Sequence, residues 1–79
     1  MCLLAVRLKE DTSYRAVQIT GDVLWTISSK SMLNCGRKCT ADLQCVAIAF
    51  VRTIPECSGF SNVTGSGPTR TGSALYYLQ

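Results

Sequence analysis

The sequence predicts an α+β domain in which one short helix lies across a β-sheet. Three observations lead there. Apolar residues recur at period two through most of the chain, as in Val23, Trp25 and Ile27. One segment alone, from Ser29 or Ser31 to about Asp42, shifts to spacings of three and four. Four of the five cysteines, Cys35, Cys39, Cys45 and Cys57, fall on that segment and on the two strand-like segments after it. A chain of 79 residues buries only roughly 60% of its unfolded surface, so a covalent or metal staple is expected.

Each element follows in order. Met1 to Val6 resembles the start of a signal peptide, but the apolar stretch stops at Arg7 and no small-residue cleavage site follows. Val6 to Lys9 alternates apolar and basic residues and is expected to be a half-exposed strand. Glu10 to Ser13 suggests a turn, and Tyr14 to Thr20 a second strand. Gly21-Asp22 carries turn chemistry, so Val23 to Ile27 is expected to return as the second arm of a hairpin. Ser29 or Ser31 can cap the helix, whose stripe is Met32, Cys35, Gly36, Cys39 and Leu43. That helix is short and contains glycine, so propensity alone does not hold it.

Cys45 to Val51 is apolar on both alternating faces, which marks a central strand. Cys45, Ala47, Ala49 and Val51 share one face by alternation, and Val46, Ile48 and Phe50 the other. A turn through Arg52 to Pro55 leads to a strand from Glu56 to Asn62. Val63 to Ser73, rich in Gly, Ser, Thr and Pro, is expected to be a loop, and Ala74 to Gln79 a closing strand.

Composition removes several function classes. There is no histidine, so no His base, Ser-His or Cys-His pair, or imidazole ligand can be built. The five carboxylates fall mostly in turns or at element ends, and no Gly-rich phosphate loop opens a helix. The chain is therefore expected not to be an enzyme and to need no cofactor. A formal charge of +3 is spread over scattered basic residues, of which only Arg37 and Lys38 adjoin, unlike the clustered face of a nucleic-acid binder. The longest apolar run, Val46 to Val51 after Cys45, is far short of the ~20 residues of a membrane span. Hydrophobic residues make up 47% of the chain, which excludes intrinsic disorder.

The cysteines carry the most information. Cys35 and Cys39, four apart, point from one face of a helix, while Cys45 and Cys57 sit on separate strands. Small residues, Gly36 on the helix and Ala47, Ala49 and Gly59 on the strands, allow the close approach that disulfides need. Four cysteines permit three connectivities. The same spacing also admits a structural zinc site or four buried thiols, although zinc knuckles more often present a C-x2-C pair on a tight turn.

The segment Asn34-Cys35-Gly36-Arg37-Lys38-Cys39-Thr40-Ala41-Asp42-Leu43-Gln44-Cys45-Val46-Ala47-Ile48-Ala49-Phe50 resembles the core of the PAN/apple domain family. The match covers about Ser31 to Ser58. The resemblance implies a curved antiparallel sheet of about five strands with one helix packed across it, stapled by Cys35–Cys57 and Cys39–Cys45. In the chain-entropy model these bridges are worth about 3.4 and about 2.4 kcal/mol, against a total stability on the order of 5 kcal/mol for so small a domain. No cysteine follows Cys57, so the likeness is to the shorter two-bridge type. It leaves Cys2 as a free thiol or as the link of a disulfide-bonded dimer.

By the same resemblance, residues 1–79 form one PAN/apple-like domain, a piece of a longer secreted protein. It would serve as a non-catalytic extracellular module for protein–protein or protein–carbohydrate binding, as in cell adhesion. Asn62-Val63-Thr64 fits the N-glycosylation sequon ahead of the expected loop, making Asn62 an acceptor in a glycoprotein. Lys30, Arg37 and Lys38 could form a basic site near the helix, or a merely solvated face. Arg70 is a candidate contact from the loop, and Tyr76 the more available of two adjacent tyrosines. Trp25 is expected to be core rather than a ligand platform. The alternatives are a small intracellular interaction domain stapled by zinc on four cysteines, or a stand-alone secreted disulfide-rich effector.

Overall fold

Ala47–Val51, the most apolar run, forms the middle strand of the protein, and all five of its residues are buried. The computed structural model describes residues 8–78. Its elements are β1 (Leu8–Asp11), β2 (Val17–Ile27), α1 (Met32–Ala41), β3 (Ala47–Val51), β4 (Glu56–Thr69) and β5 (Ser73–Leu78), with a 3-10 turn at Thr12–Tyr14. The five strands form one antiparallel sheet in the order β1-β5-β3-β4-β2. With β5 on one side and β4 on the other, β3 has no free edge.

The helix begins where Ser31 places its hydroxyl 3.2 Å from the N–H of Asn34, satisfying a donor the first turn leaves orphaned. It stops at Asp42, whose carboxylate accepts the N–H of Gln44 at 3.0 Å while its carbonyl accepts the N–H of Cys45 at 3.0 Å. This Asx-type turn swings the chain directly into β3. Cys35, Gly36 and Cys39 form the buried stripe of α1. Leu43, expected on that stripe, lies beyond the helix end and is 99% exposed.

Two disulfides fix α1 to the sheet: Cys35–Cys57, with Cα atoms 6.4 Å apart, and Cys39–Cys45, with Cα atoms 5.1 Å apart. All four cysteines are buried, and they pack with Ile48 and Phe50 in one cluster. Sulfurs joined in this way carry no thiolate for a metal ion. The helix therefore covers the Ile48/Phe50 face of β3, not the Ala47/Ala49 face that strict alternation from Cys45 suggested. Cys45 precedes the strand, so alternation does not carry through it, and Cys57 stands opposite Phe50 in the ladder.

Ala47 and Ala49 face the other way, with Ile19, Phe60 and Leu75. What covers them is the main departure from expectation. There is no hairpin at Gly21-Asp22: β2 runs unbroken through both residues and pairs with β4 along its whole length, with several register shifts. Nor is Val63 to Ser73 a loop, since β4 continues to Thr69 and only a short turn separates it from β5. Both β4 and β5 pair with β3, and both start at its Val51 end. After Phe60 the chain must therefore travel back to that end before β5 begins. It does so as a two-stranded ribbon, 17–22 with 62–69, that bends over the sheet face opposite the helix.

The far end of the ribbon is tied down there. The N–H of Ala16 reaches the Ser73 carbonyl at 2.8 Å, and the N–H of Arg70 reaches the Ala16 carbonyl at 2.9 Å. These two bonds hold Ala16 at φ 59°, a left-handed conformation unusual for alanine. At the bend, a Cβ on Gly21 would overlap the carbonyl oxygen of Asn62, so only glycine permits the approach. The register shifts on either side of Gly21 and Asp22 are bulge-like irregularities, which bend strands.

Candidate functional site

The predicted site residues fall in three places. The first is the flank of the helix. Trp25 stands opposite Gly59 in the β2–β4 ladder, and its indole lies where a Cβ on Gly59 would be. The missing side chain lets the ring settle flat on the strand, packed against the disulfide cluster. Its Nε1 is buried with no hydrogen-bond partner. The Lys38 ammonium stands 5.2 Å from the ring centroid, a cation–π contact, and these residues with Asp42 and Leu43 line an open depression. Of the basic trio, only Lys38 takes part. Arg37 is exposed elsewhere on α1, and Lys30 is exposed before it.

The second place is a cleft of about 440 Å³ on the same sheet face, at the Val51 end. Here β5 brings Tyr76 opposite both Ile48 and Glu10, and Ala74 opposite Phe50, so these side chains share one face. Phe50 and Ala74 line the cleft with Tyr76, joined by Glu10, Arg15 and Arg52. Glu10 accepts two hydrogen bonds from Arg15, from Nε at 2.9 Å and from Nη2 at 3.2 Å. That hydrogen bonding, with the guanidinium charge, holds the Glu10 carboxyl below the ordinary carboxylate value and raises Arg15 further. Arg52 has no ion-pair partner among the described residues.

Tyr77, the neighbour of Tyr76, points to the opposite face and packs beside the Ile19 and Leu75 cluster. Burial pushes its phenol up, and Tyr14 and Asp11 add to the shift.

The third place is the ribbon. Asn62 is exposed, but it sits inside β4 opposite Asp22, not ahead of a flexible loop. Arg70 is exposed in the turn between β4 and β5, and its backbone is bonded on both sides, to Ala16 and to Ser73. It is thus a fixed position rather than a mobile one. Cys2 lies outside the described residues.

Glu10, Arg15 and Arg52 were not visible as site residues in the sequence. They converge on Tyr76 only because β1 pairs with β5 and the turn after β3 meets the turn before β5, where the Arg52 N–H reaches the Gly72 carbonyl at 3.0 Å. No local signal announces such a meeting. Among the described residues no group of three or more Cys, Asp or Glu is placed to hold a metal ion, and no helix is long and apolar enough to cross a membrane. No protein-family model, curated protein or solved structure matches this chain.

Proposed function

We propose that this chain is a non-catalytic extracellular recognition module of PAN/apple type, binding a protein or carbohydrate ligand through side chains on the helix-bearing face of the sheet. The observation that carries it is the pair of buried disulfides holding α1 on β3 and β4. Such bridges persist in oxidising compartments and are dense in small secreted domains. The likeness of Ser31 to Ser58 to the PAN/apple core supports the same reading. So does the surface, with two clefts on the helix-bearing face, each holding an aromatic ring and a basic side chain.

The reading is tested by producing the chain through a secretory pathway and alkylating it without reduction. Four of its five cysteines should resist alkylation, and intact mass reports the number. The same material is then screened against immobilised glycans and cell-surface proteins, with Asn62 occupancy read as an added glycan mass. Five reactive thiols in the native, metal-free chain would overturn the extracellular assignment.

A further inference from the structure

The cleft at Tyr76 has a chemistry of its own, and its ligand class can be argued from the walls. This step rests on the recognition-module reading. The strands beneath the cleft are fully paired, β3 between β5 and β4 and β5 between β1 and β3. The open edge nearest the cleft belongs to β1, whose Glu10 is tied to Arg15 on the rim. The floor strands offer no free ladder, so recognition within the cleft falls to side chains. The floor is apolar: Phe50, Ala74 and the ring of Tyr76. The rim is charged and asymmetric. Glu10 holds Arg15 by two of its donors and offsets its charge, while Arg52 is uncompensated among the described residues.

These walls select a monoanion. A guanidinium matches a carboxylate in two parallel hydrogen bonds, and the Nε and Nη2 bonds to Glu10 orient Arg15 while leaving its Nη1 donors for a ligand. The Glu10 carboxylate repels a second negative charge, which disfavours a phosphate dianion or a sulfated chain. The volume, about 440 Å³, suits one large side chain with its carboxylate rather than an extended polymer. Leu8, where the described chain begins, pairs with Leu78 at the other end of the β1–β5 ladder.

We infer that the cleft between Tyr76, Phe50, Arg15 and Arg52 binds a carboxylate carried on an apolar body, with the apolar part on Phe50 and Ala74 and the carboxylate between the two guanidinium groups. A free aromatic acid and the C-terminal residue of a protein share this chemistry.

The test uses the disulfide-intact chain, with amide resonances followed by NMR at low salt. N-acetyl-phenylalanine should shift Phe50, Ala74 and Tyr76 in a saturable way, with a dissociation constant on the order of millimolar for so small a probe. N-acetyl-phenylalanine amide should bind at least about tenfold more weakly, as should the acid to Arg52→Gln, whose backbone bond to Gly72 is unaffected. Arg52→Lys should recover only part of the affinity, because a lysine cannot form the paired bonds. Phenylpropionate and a hexapeptide ending in Phe, free or amidated, separate the two sources. Equal affinity for both acids assigns the cleft to a small acid, and much tighter binding of the free-acid peptide assigns it to a protein C-terminus.

Equal binding of acid and amide overturns the proposal. So does tighter binding of glucuronate than of the phenyl acid, or no shift at the cleft in a chain whose four cysteines remain protected. That last result leaves the recognition reading standing, whereas full alkylation of the native chain removes it.

Discussion

The two faces of β3 are closed in different ways. On one, α1 is held by two covalent bridges, and the sulfurs make up much of the buried cluster. On the other, Ala47 and Ala49 are covered by the chain's own ribbon, whose Ile19 packs with Phe60 and Leu75. The helix is too short and too glycine-bearing to stay by propensity, so it is tied. The ribbon is joined to the sheet by continuous hydrogen bonding through β4 and bent by bulges, so it needs no staple. A small domain can thus cover one sheet face by cross-linking and the other by folding a strand pair back.

The comparison is broken most severely at the bridges. Replacing both by Cys→Ser pairs should remove about 6 kcal/mol in the chain-entropy model, as much as so small a domain has, and leave it unfolded. Near-UV circular dichroism of Trp25 and the tyrosines reads this directly. Singly, loss of Cys35–Cys57 should cost about 1 kcal/mol more than loss of Cys39–Cys45, since it opens the longer loop.

On the ribbon face, Leu75→Ala removes a side chain that is 0% exposed. It should cost about 2–5 kcal/mol by denaturant titration, with both disulfides still intact by mass. A chain that loses no more than about 0.5 kcal/mol would show that the ribbon does not cover this face.

Gly59→Ala sharpens the contrast on the helix face, where the new methyl must displace the Trp25 ring. The expected cost is about 1–3 kcal/mol, with a change in Trp25 fluorescence as the ring leaves the strand. The smallest effect is expected at Ala16→Gly. Relief of the left-handed strain, about 1 kcal/mol, is partly offset by the greater freedom of glycine in the unfolded chain. The net should be a stabilisation of about 0.5 kcal/mol, read as a higher denaturant midpoint at unchanged slope.

Much of the helix face was legible. A serine cap at Ser29 or Ser31, the four-residue spacing of Cys35 and Cys39, and the apolar run Cys45 to Val51 are local signals. The cap is Ser31, and the strand takes the last five residues of the run, Ala47–Val51. The ribbon was not legible. Gly21-Asp22 and the Gly, Ser, Thr and Pro of residues 63–69 have turn composition, and only pairing between β2 and β4, far apart in the chain, makes them strand. Bulges tolerate glycine, so residues that normally mark a reversal here mark a bend. The face of β3 toward the helix was not legible either, because Cys45 lies before the strand and reaches Cys39 from a turn, so alternation from it does not extend into β3.

The sequence by itself determined the existence of one helix, the central strand and the set of cysteines that could staple them, because caps, periodicity and spacing act within a few residues. Tertiary structure alone decided which face the helix covers, that β2 and β4 form one bent ribbon, and that Glu10, Arg15, Arg52 and Tyr76 meet in a cleft. Those outcomes depend on strand pairing between distant segments, whose free energy comes from burial and backbone hydrogen bonds that no local stretch of chain contains.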